Sequence, residues 1–233
     1  MEVKVLQNLP LNLDVEDLAA RLKLDDEMRD EFGDIFKEAL AVARPKMLYG
    51  RAEVVRKEGN VVAVGGMEFR SKVLYINMEK IRTAYPYVAT GGRELFDLAK
   101  AKADPLERYW IDSIAEAALR AGLAAALERI RHDEGTGALY AMNPGSLPDW
   151  PIAQQRPLFR LLGDVMEKIG VELTESMLML PVKSVSGLLF ESEEHYTNCS
   201  MCPREWCVGR REPFNPELYK EKYHLDEAEG FSH

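Results

Sequence analysis

The chain has few of the residues that usually carry catalysis or cross-links. Its 233 residues include three cysteines and four histidines. Four scattered histidines support no serine–histidine–aspartate triad, and three cysteines leave one thiol over in any disulfide scheme. No run of about 18 apolar residues occurs, so no transmembrane helix is expected. The first residues lack the regions of a signal peptide, so the cytoplasm is the expected location.

Positive charge is also in short supply. Lysine and arginine number 30 against 39 acidic residues, which gives a net charge of -9. Because phosphate binding requires basic surface, a nucleic-acid partner is not expected. The apolar fraction of 46% and the charged fraction of 30% are ordinary for a globular protein. A chain of this length can bury a sizeable core without disulfides.

Helix and strand patterns alternate along the chain in mixed order. The clearest helix begins at Asp104-Pro105, a capping residue followed by proline, and runs to about Arg131 before Gly135. Shorter patterns predict helices at 14–22, 28–43 and 152–169, a short last helix after Asn215-Pro216, and strands at 3–6, 47–56, 61–70, 87–90, 139–142, 176–180 and 184–190. This mixture, with Glu58-Gly59-Asn60 as a hairpin signal, predicts an α+β fold with a mainly antiparallel sheet.

All of the cysteines lie close together, at Cys199, Cys202 and Cys207. In a reducing compartment, clustered thiols more often bind metal or do redox work than form structural disulfides. His195 as a fourth ligand would give a zinc site with three thiolates and one imidazole. Without His195, three thiolates fit an iron–sulfur cluster with one open iron position. The alternative is three reduced cysteines in a mobile loop.

A second group of motifs lies upstream of the cysteines. It consists of Asn143-Pro144-Gly145-Ser146-Leu147-Pro148-Asp149-Trp150-Pro151, then Leu173-Thr174-Glu175-Ser176, and then Lys183-Ser184-Val185-Ser186-Gly187. At these spacings the combination resembles the activation domain of cobalamin-dependent methionine synthase. It resembles most the stand-alone versions that carry additional C-terminal cysteines. The resemblance is strong over about residues 139–190 and looser over most of the chain.

The resemblance implies both a fold and a role. The fold would be a twisted, mainly antiparallel sheet flanked by helices in residues 1–190, with residues 191–233 packed on it as a cysteine-bearing extension. In the family, the domain covers the cobalamin of a partner and presents S-adenosylmethionine while an electron donor reduces the cobalt. The chain would therefore be an accessory protein that reactivates a corrinoid-dependent methyltransferase, with methionine synthase as the first candidate. Its partners would be the corrinoid-bearing subunit and an electron donor.

The resemblance also nominates residues that bind the corrinoid or S-adenosylmethionine. They are Asn143, Pro144, Gly145, Ser146, Trp150, Lys183, Ser184, Ser186, Gly187, Tyr196 and Glu116. The serine hydroxyls can hydrogen-bond corrin amides, and a glycine lets a flat ligand approach the backbone. The structural alternatives are an ordinary turn, a half-exposed strand, a tryptophan anchoring a loop to the core, and a surface ion pair between Glu116 and Arg120.

The sequence departs from the family pattern at several positions. Ala141 stands where the family has an arginine, and Ser146 stands where it has an aromatic residue. The helical glutamate that binds the donor in the family matches Glu116, or Arg120 if the alignment is shifted by four residues. Because an arginine fork binds a carboxylate through two charged hydrogen bonds, alanine cannot replace it. These departures count against S-adenosylmethionine binding and leave the fold prediction intact. Two other functions stay open: an iron–sulfur protein that reduces corrinoids without a methyl donor, and a zinc-bearing, non-catalytic interaction module.

Overall fold

Antiparallel strands form the centre of the protein. The computed structural model describes residues 1–207 and 210–223. In these residues eight strands form one sheet, and they are β1 (Val3–Leu6), β2 (Lys46–Gly50), β3 (Ala52–Lys57), β4 (Val61–Val64), β5 (Met67–Arg70), β6 (Thr83–Thr90), β7 (Leu139–Met142) and β10 (Ser184–Glu191). Two short strands, β8 (Glu172–Leu173) and β9 (Met179–Leu180), pair separately. The mainly antiparallel α+β fold predicted from the sequence is confirmed.

Seven α-helices of the described residues flank the sheet. They are α1 (Val15–Leu22), α2 (Asp26–Val42), α3 (Lys72–Asn77), α4 (Arg93–Ala101), α5 (Pro105–Glu134), α6 (Gln155–Leu162) and α7 (Val165–Ile169). The predicted ends of α5 are confirmed, since Asp104 accepts a hydrogen bond from the Leu106 amide and Gly135 ends the helix with φ 66°. Within the described residues, none of these helices combines the length and apolar character that crossing a bilayer requires.

Strand β6 lies in the middle of the sheet. One edge pairs with β10 over seven residue pairs, from Ser184 opposite Thr90 to Phe190 opposite Ala84. The other edge pairs with β2 and then with β3. The register would place Gly50 opposite Pro86, which has no N–H for a ladder bond, and the pairing is interrupted there. The predicted strand 47–56 is therefore two strands.

Other predicted elements are also divided. The predicted strand 61–70 is a hairpin, because Gly65 and Gly66 both have positive φ and connect β4 to β5 in two residues. The predicted helix 152–169 is a 3₁₀ turn (Ile152–Gln154) followed by α6 and α7, with the break at Gly163. Only Met179–Leu180 of the predicted strand 176–180 is extended, since Met177 takes a left-handed conformation in a turn.

Helices cover one face of the sheet. Phe32 of α2 meets Trp110 of α5 edge to face, with ring centroids 5.6 Å apart, in an apolar cluster that also includes α1 and α4. At Gly91, just after β6, a Cβ would lie 2.6 Å from the Ala115 carbonyl oxygen of α5. Only glycine therefore lets α5 lie this close to the end of the central strand.

The opposite face is covered by α3, α6 and the chain that follows β10. Tyr196, Met201 and Tyr223 are buried in the same apolar cluster as Trp150 and Leu188. Tyr223 also donates a hydrogen bond of 2.6 Å from its hydroxyl to Asn77 Oδ1 at the end of α3. The described part of the C-terminal segment is thus packed into the core.

Asp149 fastens the 143–151 loop to α3. Its carboxylate accepts hydrogen bonds from the Lys72 and Val73 backbone amides, at 3.1 and 3.0 Å, and from the Ser71 hydroxyl. Ser71 in turn caps the same helix by accepting from the Leu74 amide. The first amides of a helix have no partner within it. A loop more than 70 residues away in sequence therefore supplies acceptors for α3.

Asp149→Ala should lower the free energy of unfolding by about 1–2 kcal/mol, because two amides and a hydroxyl lose their acceptor. Urea denaturation of the purified protein measures this loss. Asp164→Ala is the matched control, since Asp164 occupies the capping position of α7 without a side-chain capping bond. Equal losses in the two variants would contradict the capping role of Asp149.

Candidate functional site

Asn143 lies at the centre of a polar network that joins three distant segments. Its side-chain amide donates to the Tyr87 hydroxyl of β6 at 2.8 Å and to the Ser186 carbonyl of β10 at 2.9 Å. Its Oδ1 accepts from Asn198 Nδ2 at 2.9 Å, and Asn198 Oδ1 accepts from the Tyr196 hydroxyl at 2.9 Å. The family-like loop, the central strands and the C-terminal segment are therefore held together by one amide.

Both tyrosines of this network are removed from water. Burial raises the pKa of Tyr87 to about 12, although the hydrogen bond to Asn143 and the charge of Arg211 act in the opposite direction. Burial likewise raises the pKa of Tyr196 well above its ordinary value, with smaller contributions from Tyr223 and Asp149. Both hydroxyls therefore stay protonated and act as hydrogen-bond partners of fixed orientation.

Gly187 and Ser186 lie against this network. A Cβ at Gly187 would be 2.3 Å from the Met142 carbonyl oxygen and 2.6 Å from Asn143 Nδ2. The glycine is thus required by the close approach of β7 and Asn143 to β10. Ser186 is 2% exposed, and its hydroxyl has no hydrogen-bond partner among the described residues. A buried hydroxyl without a partner is uncommon and often marks a functional position.

The 143–151 loop divides into a buried base and an exposed tip. Pro144 is buried, and Trp150 is 1% exposed and packs edge to face on Phe69 with ring centroids 6.0 Å apart. Gly145 and Ser146 form the exposed tip, where Gly145 has φ 83° and donates its amide to the Trp150 carbonyl. Of the nominated loop residues, the two at the tip are the exposed ones.

A second group of nominated residues meets near the start of β10. Lys183 Nζ lies 3.7 Å from Glu116 Oε2 and 3.9 Å from Asp112 Oδ2, and Glu116 also pairs with Arg120 at 2.5 Å. Burial works against ionisation of Glu116, but Arg120 and Lys183 outweigh it and lower its pKa. The Ser184 hydroxyl, one residue on, bonds the Pro181 carbonyl at 2.7 Å and lies 3.0 Å from Thr90 Oγ1.

Ala141 lies away from these charges. It is opposite Leu189 in the β7–β10 ladder and packs in the apolar cluster between the sheet and α5.

Sequence reasoning missed Tyr87 and Asn198, which complete the Asn143 network. The sequence predicts a strand at Tyr87 but gives no sign of a functional residue there. Asn198 directly precedes the cysteine motif, which is the more conspicuous feature of that segment. Neither carries a sequence signal of its own.

The cysteine segment is organised around Arg210. Its guanidinium donates to the carbonyl oxygens of Cys199, Cys202 and Glu212 at 3.3 Å, and to that of Arg204. The Cys199 carbonyl also accepts from the Cys202 amide at 3.2 Å, which makes Cys199 to Cys202 a turn. The Cys199 sulfur accepts from the Arg211 amide at 3.5 Å. Burial opposes ionisation of this thiol, but the hydrogen bonds from Arg211, Thr197 and Glu212 together outweigh it and lower the pKa.

The nominated metal ligands do not come together in the described residues. Within residues 1–207 and 210–223, no three histidine, cysteine, aspartate or glutamate side chains lie close enough to share a metal. His195 instead pairs with Glu212 at 2.5 Å and packs edge to face on Tyr140, and Cys207 is exposed. This donor arrangement does not fit zinc or an iron–sulfur cluster. A metal site with Cys199, Cys202, Cys207 and His195 stays a prediction.

Replacing Tyr87 by phenylalanine should reduce the loss of stability at alkaline pH. The folded protein keeps the Tyr87 proton up to about pH 12, whereas an unfolded tyrosine loses it near pH 10, so stability falls as the pH rises between these values. The full shift of two units corresponds to about 2.7 kcal/mol. Urea denaturation at pH 8, 10 and 11 measures the slope. Tyr109→Phe, at an exposed position, should leave the slope unchanged, and an equal slope in Tyr87→Phe would refute the assignment.

Comparison with known proteins agrees with this architecture. Residues 126–207 match the family model described as the activation domain of vitamin B12 dependent methionine synthase. No curated protein sequence matches the chain significantly. A solved structure described as the MetH reactivation domain bound to AdoHcy has a TM-score of 0.58 and 17% identity, with 85% of this chain and 81% of that chain covered. The chain is thus similar in sequence to the methionine synthase activation domain over residues 126–207, and it has the fold of the reactivation domain over most of its length.

Proposed function

We propose that this chain caps the corrinoid of a cobalamin-dependent methyltransferase, with methionine synthase as the first candidate, during its reductive reactivation. The observation that carries the proposal is the position of the family match. Residues 126–207 include the end of α5, β7, the 143–151 loop and β10, as well as α6, α7 and the cysteine turn. These are the elements that gather Asn143, Ser186 and Gly187 at one place. The reactivation-domain fold of the chain supports the same role.

The chemistry of the Asn143 network suits a neutral, amide-bearing ligand such as a corrin. Its amides and hydroxyls are fixed by bonds from three segments, so little entropy is lost when a ligand approaches. The exposed tip at Gly145 and Ser146 follows Asn143 in the chain and would be the part of this site that meets a partner. The corrin supplies the methyl-transfer chemistry, and this chain's residues would bind it, orient it and exclude water.

Presentation of S-adenosylmethionine depends on a different part of the surface. The similar solved structure is described as bound to AdoHcy, which is what the methyl donor becomes after transfer. Such a ligand has an ammonium and a carboxylate that need partners of both signs. Ala141 offers neither, whereas Glu116, Lys183 and Arg120 lie together and offer both. We therefore place the amino-acid end of a methyl donor at this cluster.

Capping can be tested with the corrinoid domain of a methionine synthase loaded with cob(II)alamin. Addition of this chain should change the visible spectrum in a saturable manner, because covering the corrin alters the cobalt's axial surroundings. Ser146→Arg should weaken binding at least tenfold, equivalent to about 1.4 kcal/mol, since it places a large charged side chain at the exposed tip. Ala103→Arg introduces the same side chain in the α4–α5 connection and should bind like the wild type.

Methyl-donor presentation can be tested in the same mixture. With S-adenosylmethionine and a titanium(III) reductant, methylcobalamin should form, and Lys183→Gln should slow its formation without weakening capping. Loss of methylation with intact capping supports the Glu116–Lys183 assignment. Absence of any spectral change on mixing, or equal affinity of Ser146→Arg and wild type, would refute the proposed capping surface.

A further inference from the structure

The arrangement of the cysteines favours a chemistry other than metal binding. Cys199 and Cys202 are the two ends of a turn closed by the 3.2 Å bond from the Cys202 amide to the Cys199 carbonyl. Residues at the ends of such a turn have Cα atoms within about 7 Å of each other. Disulfides span roughly 4.4–6.8 Å between Cα atoms. The pair can therefore be joined with little movement of the backbone.

The third thiol does not belong to this pair. Cys207 is exposed, lies five residues further along the chain, and is adjacent to Trp206, which is 90% exposed. Cys202 is partly buried and packs against the core cluster of Tyr196 and Met201. Cys199 is half-buried as well but is not part of that cluster, so we assign it the role of the attacking thiol.

A backbone amide and a guanidinium cation both contact the Cys199–Cys202 turn. The Cys199 sulfur accepts the Arg211 amide, and the Arg210 guanidinium donates to the carbonyls of both cysteines. The Arg210 guanidinium can hold the turn closed in both the dithiol and the disulfide state, because it bonds the backbone carbonyls and not the thiols. Attacking cysteines in general lie in electropositive, partly exposed surroundings of this kind.

We propose that Cys199 and Cys202 form a redox-active dithiol that exchanges with an external disulfide. The Cys199 thiolate attacks the external disulfide, forms a mixed disulfide and releases the first external thiol. Cys202, having lost its proton, then attacks the Cys199 sulfur, forms the intramolecular bond and releases the second external thiol. The two cysteines are oxidised by two electrons, the external disulfide is reduced to two thiols, and the two cysteine protons end on those thiols.

The dithiol is adjacent to the candidate site. Asn198 immediately precedes Cys199 and bonds Asn143, so the turn and the network share a backbone segment. The Thr197 hydroxyl accepts from the Cys199 amide at 3.1 Å, which ties the turn to the buried residues 196–198. Exchange at the turn would thus take place within one residue of the groups that we assign to corrinoid capping. The dithiol itself does not depend on that assignment.

The test uses the full chain, reduced and freed of reductant under nitrogen, with oxidised glutathione as the probe. Alkylation followed by mass spectrometry counts the free thiols. We expect the count to fall from three to one, with a Cys199–Cys202 disulfide in the peptide map and recovery of all three thiols on reduction. Cys207→Ser is the matched control and should form the same disulfide.

Cys202→Ser separates exchange from simple surface oxidation. Without the second thiol, glutathione should stay attached to Cys199 at least about tenfold longer than in the wild type, because the intramolecular attack is lost. Near-ultraviolet circular dichroism confirms that each variant is folded. A disulfide that requires Cys207, stable glutathione adducts on all three cysteines, or a bound metal that blocks Cys199 and Cys202 would each overturn the proposal.

Discussion

The pairing of β6 with β10 is the constraint on which the rest of this structure depends. These strands are almost a hundred residues apart in sequence, yet they pair over seven residue positions at the centre of the sheet. This ladder sets Tyr87 beside Gly187 and Thr90 beside Ser184. Strand β7 pairs with the other edge of β10, and this pairing brings Asn143, which follows β7, to the same place. Every nominated residue upstream of position 190, apart from Glu116 and Lys183, lies on this ladder or on the loop that follows β7.

Close backbone approach decides where the site can form. Gly187 admits the Met142 carbonyl and the Asn143 amide against β10, and Gly91 admits α5 against the end of β6. The first approach creates the buried polar network, and the second places Glu116 of α5 beside Lys183. One glycine in β10 and another just after β6 therefore position two different groups of polar side chains. The first group is neutral and buried, and the second is charged and partly exposed.

The C-terminal segment completes the fold as well as extending it. Tyr196, Met201 and Tyr223 fill the face of the sheet that α3 and α6 leave open, and Asn198 supplies the last partner of Asn143. The cysteine turn directly follows Asn198. The proposed dithiol therefore lies within a few bonds of the proposed corrinoid-capping loop. Arg210, which bonds four carbonyls of this segment, gives the turn a defined shape.

The sequence by itself determined the local elements and the family pattern. Helix α5 follows from Asp104-Pro105 and Gly135, because capping and proline effects are local, and the Pro-Gly and Ser-Val-Ser-Gly motifs indicate the activation-domain relationship. Only the tertiary structure decided which residues meet. The sequence left Trp150 and Glu116 open to both a binding and a structural interpretation. The tertiary structure packs Trp150 on Phe69 and pairs Glu116 with Lys183 and Arg120. The roles of Tyr87 and Asn198 and the interruption of the sheet opposite Pro86 depend on contacts between segments that are distant in sequence, and no local pattern encodes such contacts.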